Sequence, residues 1–174
     1  MRQYLILADF LSGFKAREYS IYDQTGQHLQ YRIESRYHIL QTIELIAYPR
    51  KNVTGKLQAH INPFEYEADF EVYDDRKQKW SKGSIKQHWQ IFGSNFTIKW
   101  NDHLLLMETK SLTSTTNIFD TENKYNLLAR FQLRRKPFTW ISKHDMEIYS
   151  NAIPDAVYLL GLAAKDGLDR RKSG

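Results

Sequence analysis

Residues 154–164 read Pro-Asp-Ala-Val-Tyr-Leu-Leu-Gly-Leu-Ala-Ala, and this stretch decides the fold. Pro154 suits the first turn of a helix, and Asp155 is favourable at the positive end of the helix dipole. From residue 156 to residue 164 every position is apolar or glycine except the amphipathic Tyr158. A helix without a polar side is normally buried on all sides. At about 1.5 Å per residue the run spans roughly half a bilayer, so its apolar partners must come from the protein.

The sequence before this helix alternates between apolar and polar residues with a period of two. Leu57, Ala59 and Ile61, for example, are separated by polar residues. The same alternation marks residues 28–34, 56–61, 67–72, 84–91, 96–100 and 127–134. Each segment is typical of an antiparallel strand with one buried and one solvent-facing side. Many short strands separated by turn residues indicate a sandwich or a barrel.

A sheet of one-sided strands buries a helix on every side only by wrapping around it. We therefore predict an all-β fold, a closed antiparallel β-barrel wrapped around a buried hydrophobic C-terminal α-helix. The chain, residues 1–174, forms one domain in this prediction, with the helix at about 154–166 and a polar tail at 167–174. The alternative is a β-sandwich with the helix on one face, covered by loops.

One short unit recurs three times, with an apolar residue, an aromatic residue and an aspartate. The copies are Ile21-Tyr22-Asp23, Val72-Tyr73-Asp74 and Ile118-Phe119-Asp120. Aspartate favours the entry to a turn because its carboxylate accepts hydrogen bonds from the backbone that follows. The uneven spacing of the copies excludes a solenoid. Hairpins of similar build in a closed sheet would explain the recurrence.

Three segments carry a resemblance to the tubby C-terminal-like superfamily, and most of all to its LURP-one-related and phospholipid-scramblase branch. They are the hairpin at 21–27 continuing into Tyr31-Arg32-Ile33, the hairpin beginning Ile118-Phe119-Asp120, and the closing stretch from Tyr149 through residues 154–166. The resemblance covers roughly residues 15–166. It implies a closed antiparallel barrel around a hydrophobic C-terminal helix, which agrees with the pattern of apolar residues.

The resemblance implies a binding function more than a particular ligand. Tubby-type domains bind phosphoinositides through surface Lys and Arg, and no individual base of that set aligns with this chain. Scramblases carry a calcium-binding acidic stretch before the final helix, whereas residues 142–150 contain only Asp145 and Glu147. Two carboxylates are too few for a cage of six or more oxygens. Scramblases also carry palmitoylated cysteines, which are absent here, so we do not expect lipid scrambling.

Composition and motifs limit the catalytic and metal-binding chemistry that the chain can perform. The chain has no cysteine, which excludes disulfides, Cys-ligated metals and thiol nucleophiles. It contains no nucleotide-binding glycine loop, serine-hydrolase motif or HExxH motif. The histidines are spread along the chain, at positions 28, 38, 60, 88, 103 and 144. We therefore expect no enzyme activity, no catalytic residues, no bound metal and no cofactor.

Two basic clusters are candidate binding sites for an anion or a lipid headgroup. The first is formed by Arg130, Arg134, Arg135 and Lys136, followed by Phe138 and Trp140. The second surrounds Trp80 with the bases of residues 76–82. Basic residues beside aromatic ones can bind phosphates or an anionic interface. The simpler interpretation, which we favour for both, is a strand end for the first cluster and a charged hairpin tip for the second, with the charges maintaining solubility.

The expected function is a non-enzymatic binding module for an anionic membrane lipid or a protein, with no nucleic-acid partner. The net charge of +5 is mild, and the apolar run near the N-terminus is too short for a signal peptide. These features favour a cytoplasmic protein without a transmembrane segment, peripheral at a membrane if lipid is the partner. The alternative is a barrel that carries an apolar small ligand, which requires a lumen that the helix leaves open.

The predicted helix gives a direct test. We expect Leu160→Asp to abolish cooperative folding, because the substitution places a charge without a partner in an apolar interior. Thermal unfolding followed by circular dichroism measures the effect. A soluble Leu160→Asp protein that melts cooperatively would contradict the central position of the helix.

Overall fold

The computed structural model describes residues 1–8, 18–36, 42–61, 65–88, 94–109, 114–122, 126–134 and 143–171. These ranges contain twelve strands and one helix. The strands are β1 Arg2–Ala8, β2 Tyr19–Asp23, β3 Leu29–Arg36, β4 Thr42–Ala47, β5 Asn52–Ile61, β6 Tyr66–Asp74, β7 Lys79–His88, β8 Ser94–Trp100, β9 His103–Thr109, β10 Thr115–Asp120, β11 Leu127–Arg134 and β12 Lys143–Ile148. The helix α1 is Asp155–Arg171.

The strands form a closed antiparallel barrel in which each strand pairs with its neighbours in sequence. The ring closes at β1, which pairs with β2 on one side and with β12 on the other. Closure leaves no edge strand with unpaired backbone groups. The predicted class, an all-β closed antiparallel barrel, is confirmed.

The alternating sequence sets which side chains face the interior. Along β6 the buried positions are Tyr66, Ala68, Phe70, Val72 and Asp74, and the positions between them are more exposed. The pleat of a strand sends successive side chains to opposite faces, so one apolar set suffices to line the barrel. Asp74 is a polar member of the buried set, with only 4% of its surface exposed.

The three aspartates that end the recurring units each organise a turn. Asp23 accepts a hydrogen bond from the backbone N–H of Thr25, at 3.1 Å. Asp74 does the same for Arg76 and Asp120 for Glu122, each at 3.0 Å. The predicted role of aspartate at the entry to each turn is confirmed at all three positions.

The helix is longer than the sequence predicts. It continues to Arg171, whereas the sequence suggests an end near residue 166 and a separate polar tail from 167. Basic residues at 170 and 171 favour this extension because they lie at the negative end of the helix dipole. Residues 156–164 form an unbroken run of nine buried positions, and Lys165 and Asp166 are intermediate.

Small residues set the distance between the helix and the strands. A Cβ atom added at Gly161 would lie 2.9 Å from Cδ1 of Ile98 in β8 and 3.8 Å from the sulfur of Met107 in β9. On another side of the helix, Leu160 lies against Gly55 of β5. The helix therefore approaches strands that are far apart in the ring. None of the helical structure in the described ranges combines the length and apolar character needed to cross a bilayer.

Gly83 in β7 should be the glycine whose replacement costs most. A Cβ atom there would lie 2.3 Å from Cζ of Phe70 and 2.5 Å from the backbone oxygen of Lys99. The backbone oxygen cannot rotate away as a side chain can, so the strands must move apart. We expect Gly83→Ala to lower the free energy of unfolding by roughly 3 kcal/mol, the upper range for overpacking.

Gly55→Ala is the matched control, because its added Cβ would lie no closer than 3.2 Å to Leu160 and 3.3 Å to Leu45. Urea unfolding of both variants compares the two costs. Equal stabilities for Gly83→Ala and Gly55→Ala would contradict the close approach of Phe70 to the β7 backbone.

Candidate functional site

One end of the barrel gathers alternate hairpin turns and the start of the helix. In this meander the turns that follow β2, β4, β6 and β8 lie at the same end, which we call the turn end. Residues 154–156, at the start of α1, border the same cavity as the turns after β6 and β8. The charged and aromatic residues of these turns are therefore brought together by the barrel topology.

Two of the predicted basic residues lie together elsewhere on the outer surface. Arg130 and Arg134, on the outer face of β11, line a groove of about 440 Å³ with Gln3, Gln132 and residues of the β2–β3 turn. Arg135 and Lys136, the other two candidates, lie outside the described residues, as do Phe138 and Trp140. We call this the Arg130 groove.

The Arg130 groove contains as many carboxylates as guanidinium groups. Nε of Arg134 donates to the carboxylate of Asp145, which raises the pKa of Arg134. Arg130 donates to the amide oxygen of Asn117 at 3.3 Å, and Glu147 lies opposite it in the register between β11 and β12. Asp145 and Glu147 both line the groove. An incoming anion would therefore meet two positive and two negative side chains.

A second surface combines positive charge with an exposed aromatic ring. Trp80 is 43% exposed, which makes it one of the few large apolar side chains on the described surface. Tyr73 meets the indole edge-on at 5.7 Å between ring centroids, and Nζ of Lys56 lies 5.8 Å above it. These contacts hold the ring in place without covering it. We call this surface, Lys56, Arg76, Lys77, Lys79, Trp80 and Lys82, the Trp80 patch.

The Trp80 patch retains most of its positive charge. Lys82 lies 3.7 Å from a carboxylate oxygen of Glu71, and its side chain is 85% exposed. Arg76 donates to the backbone oxygen of Asn151. Within the described part of the chain, Lys56, Arg76, Lys77 and Lys79 form no ion pair closer than 4 Å. Lys56 lies over the Trp80 ring, Lys79 and Lys82 are its neighbours along β7, and Arg76 and Lys77 lie in the preceding turn. Glu71 and Asp75 are carboxylates of the same hairpin.

The start of the helix is fixed by a cluster that the sequence does not reveal. Asp155 forms an ion pair with Arg2 at 2.7 Å and accepts a hydrogen bond from the hydroxyl of Tyr4 at 2.5 Å. Arg2 also donates to the backbone oxygen of Ser150 at 2.8 Å. The contacts tie the first strand to the first helical turn across more than 150 positions of sequence. Nothing in the local pattern around Arg2 indicates this partner.

The described ranges contain no group of three or more His, Asp and Glu residues arranged to hold a metal ion. His60 pairs with Asp69 across β5 and β6 at 2.8 Å, and His28 pairs with Asp23 within the β2–β3 turn at 2.8 Å. No protein-family model, curated protein or solved structure matches this chain. The function must therefore be argued from the surfaces themselves.

Three tyrosines near the start of the helix, Tyr158 buried and Tyr4 and Tyr31 partly buried, should make the fold sensitive to alkaline pH. Burial raises the pKa of Tyr4, Tyr31 and Tyr158 above the ordinary value of 10.0, and the carboxylate of Asp155 raises all three further. Above that value the unfolded chain releases phenolic protons that the folded chain retains. The free energy of unfolding should therefore be maintained below about pH 10 and fall as the pH rises further.

Urea unfolding between about pH 7 and pH 12 measures how the free energy of unfolding changes with pH. Tyr4→Phe should have a lower free energy of unfolding at neutral pH, because Asp155 loses a hydrogen-bond donor. Its free energy of unfolding should also decrease less steeply above about pH 10 than that of the wild type. A wild-type stability that stays constant to pH 12 would contradict the burial of these hydroxyls.

Proposed function

We propose that this chain is a binding module of the tubby C-terminal-like type that docks on membranes containing anionic phospholipids. The observation that carries the proposal is the exposed Trp80 ring with Lys56 over its face and Lys79 and Lys82 beside it on β7. Indole rings favour the headgroup level of a bilayer because they are apolar with one polar edge. Lysine and arginine are attracted to the negative surface potential of anionic lipids, by about 1 kcal/mol for each base. Both contributions act at the same place on this barrel.

The Trp80 patch suits this role better than the Arg130 groove. Trp80 already lies against Tyr73 and Lys56, so little side-chain freedom is lost when it meets a membrane. In the Arg130 groove, Asp145 and Glu147 offset the attraction of the two guanidinium groups. The groove remains a candidate for a single phosphate, whereas the patch presents an apolar anchor and a broad positive surface.

The position of the helix favours binding at the outer surface of the barrel over transport of a ligand inside it. We propose that residues 156–164 fill the barrel lumen. Leu160 lies against β5, and Gly161 lies against β8 and β9. Neither of the two cavities described above is lined by a helix residue beyond Ala156. An apolar ligand would therefore have to displace the helix, which disfavours the lipocalin-like alternative.

Sedimentation with vesicles tests the membrane proposal. The full chain should bind vesicles of phosphatidylcholine with one fifth phosphatidylserine, and not vesicles of phosphatidylcholine alone. Binding should be lost at about 1 M salt, where the screening length falls to about 3 Å. The double variant Lys79→Ala/Lys82→Ala removes two bases and should weaken the free energy of vesicle binding by about 2 kcal/mol, which lowers the vesicle-bound to free ratio roughly 30-fold. Trp80→Ala should weaken binding at every salt concentration, because it removes an apolar contact.

Arg130→Ala/Arg134→Ala is the matched control, since it removes the same charge from a surface four strands away in the ring. We expect this variant to bind vesicles nearly as the wild type does. Absence of binding to phosphatidylserine at low salt would overturn the proposal. A greater loss in the Arg130/Arg134 variant than in the Lys79/Lys82 variant would move the site to the groove.

A further inference from the structure

A cavity of about 310 Å³ lies at the turn end, between the barrel rim and the start of the helix. Its walls include Tyr31, Tyr73, Asp74, Trp100 and Asp155. They come from β3, the end of β6, the end of β8 and the first helical turn, so the cavity exists only in the closed barrel. Its volume is at the lower end of the range for small-molecule sites.

Asp74 is a buried carboxylate without a counter-ion. It is 4% exposed and lines the cavity. One oxygen, Oδ1, accepts the hydrogen bond from the N–H of Arg76 at 3.0 Å, and Oδ2 has no hydrogen-bond partner among the described residues. Lys79 lies opposite Asp74 in the register but forms no ion pair with it. A carboxylate oxygen on the wall of a narrow cavity favours a cation there over an anion.

Aromatic side chains contribute part of the lining. Tyr31, Tyr73 and Trp100 all line the cavity, and Trp100 is only 3% exposed. Trp100 stacks on His103, with ring centroids 6.1 Å apart and planes 8° apart. The negative faces of aromatic rings attract cations, and the attraction is larger where water is excluded. Aromatic walls and one unpaired carboxylate are the chemistry that recognises an ammonium group.

The cavity is less suited to an anion than to a cation. Arg76 and Lys77 also border the cavity, but Arg76 donates to the backbone oxygen of Asn151, and Lys77 is exposed at the rim. The positive end of the helix is already occupied by the carboxylate of Asp155, which is paired with Arg2. A phosphate would face Asp74 and Asp155 across the cavity.

We propose that this cavity binds a small organic ammonium ion, with Asp74 as its counter-ion and Tyr31, Tyr73 and Trp100 as its aromatic walls. The cavity borders the Trp80 patch, since Arg76 and Lys77 belong to both and Tyr73 contacts Trp80, but it would recognise the opposite charge and its binding is measured without a membrane. An ammonium group can come from a quaternary amine such as choline or from a primary amine such as a lysine side chain. Both present a compact positive charge with apolar substituents.

Calorimetric titration of the full chain tests the proposal with defined probes. Choline represents the quaternary amine and n-butylammonium the primary amine. The neutral isostere of choline, 3,3-dimethyl-1-butanol, tests the need for charge, and inorganic phosphate tests the opposite sign. We expect one or both amines to bind, with the neutral isostere at least 10-fold weaker and phosphate without effect. Preference between the two amines identifies the source of the ammonium group.

Asp74→Asn removes the charge and keeps an oxygen that can accept from Arg76, so the turn is retained. We expect it to weaken amine binding at least 10-fold. Asp75→Asn is the matched control, because it removes a neighbouring charge that also borders the cavity but is exposed. It should change binding less than threefold.

Tyr73→Leu provides a second variant if Asp74→Asn does not fold, and it should weaken choline binding through loss of the aromatic wall. The proposal is overturned if neither amine binds, if 3,3-dimethyl-1-butanol binds as tightly as choline, or if phosphate binds in their place. Unchanged amine affinity in a folded Asp74→Asn or Tyr73→Leu protein would also overturn it.

Discussion

The backbone hydrogen bonds that join β1 to β12 are the interaction on which the rest of the structure depends. Until they form, the strands make an open sheet with two unpaired edges. Once they form, every described strand has two partners and the inward side chains enclose one interior. The pairing joins the two ends of the chain, so most of the sequence must be in place before the ring can close. Arg2 and Tyr4 of β1 then reach Asp155 and fix the helix where it begins.

Closure also creates the surfaces on which the functional proposals rest. The turn end collects hairpins that are distant in sequence, and the two faces of the β6–β7 hairpin differ in chemistry. Its outer face carries Trp80 and the surrounding bases, which suit an anionic membrane. At its inner edge lies Asp74, whose carboxylate borders the cavity together with Tyr31 and Trp100. One aspartate thus shapes the turn through Oδ1 and offers Oδ2 to the cavity.

Much of the fold could be predicted because local patterns encode it. The alternation of apolar and polar residues predicts the strands. The aspartates at 23, 74 and 120 predict turns, and the hydrogen bonds of these turns are observed. The end of the helix was misplaced, because a change to polar composition after residue 166 resembles a tail, although dipole-compatible charges allow the helix to continue. The sequence identified the candidate basic residues but not the side chains that pair with them. Whether Arg134 is available to an anion depends on Asp145, which lies on another strand.

By itself the sequence determined the class of the fold, because the period of apolar residues and the chemistry of turns act over a few positions. It also determined that residues 156–164 are apolar or glycine apart from Tyr158, within what the structure shows as a helix. Only the tertiary structure decided which charges remain available and where a cavity lies. The unpaired carboxylate of Asp74, the carboxylates in the Arg130 groove and the ion pair between Arg2 and Asp155 arise between strands that are far apart along the chain. Electrostatic pairing acts through distance in space, and closure of the barrel sets that distance.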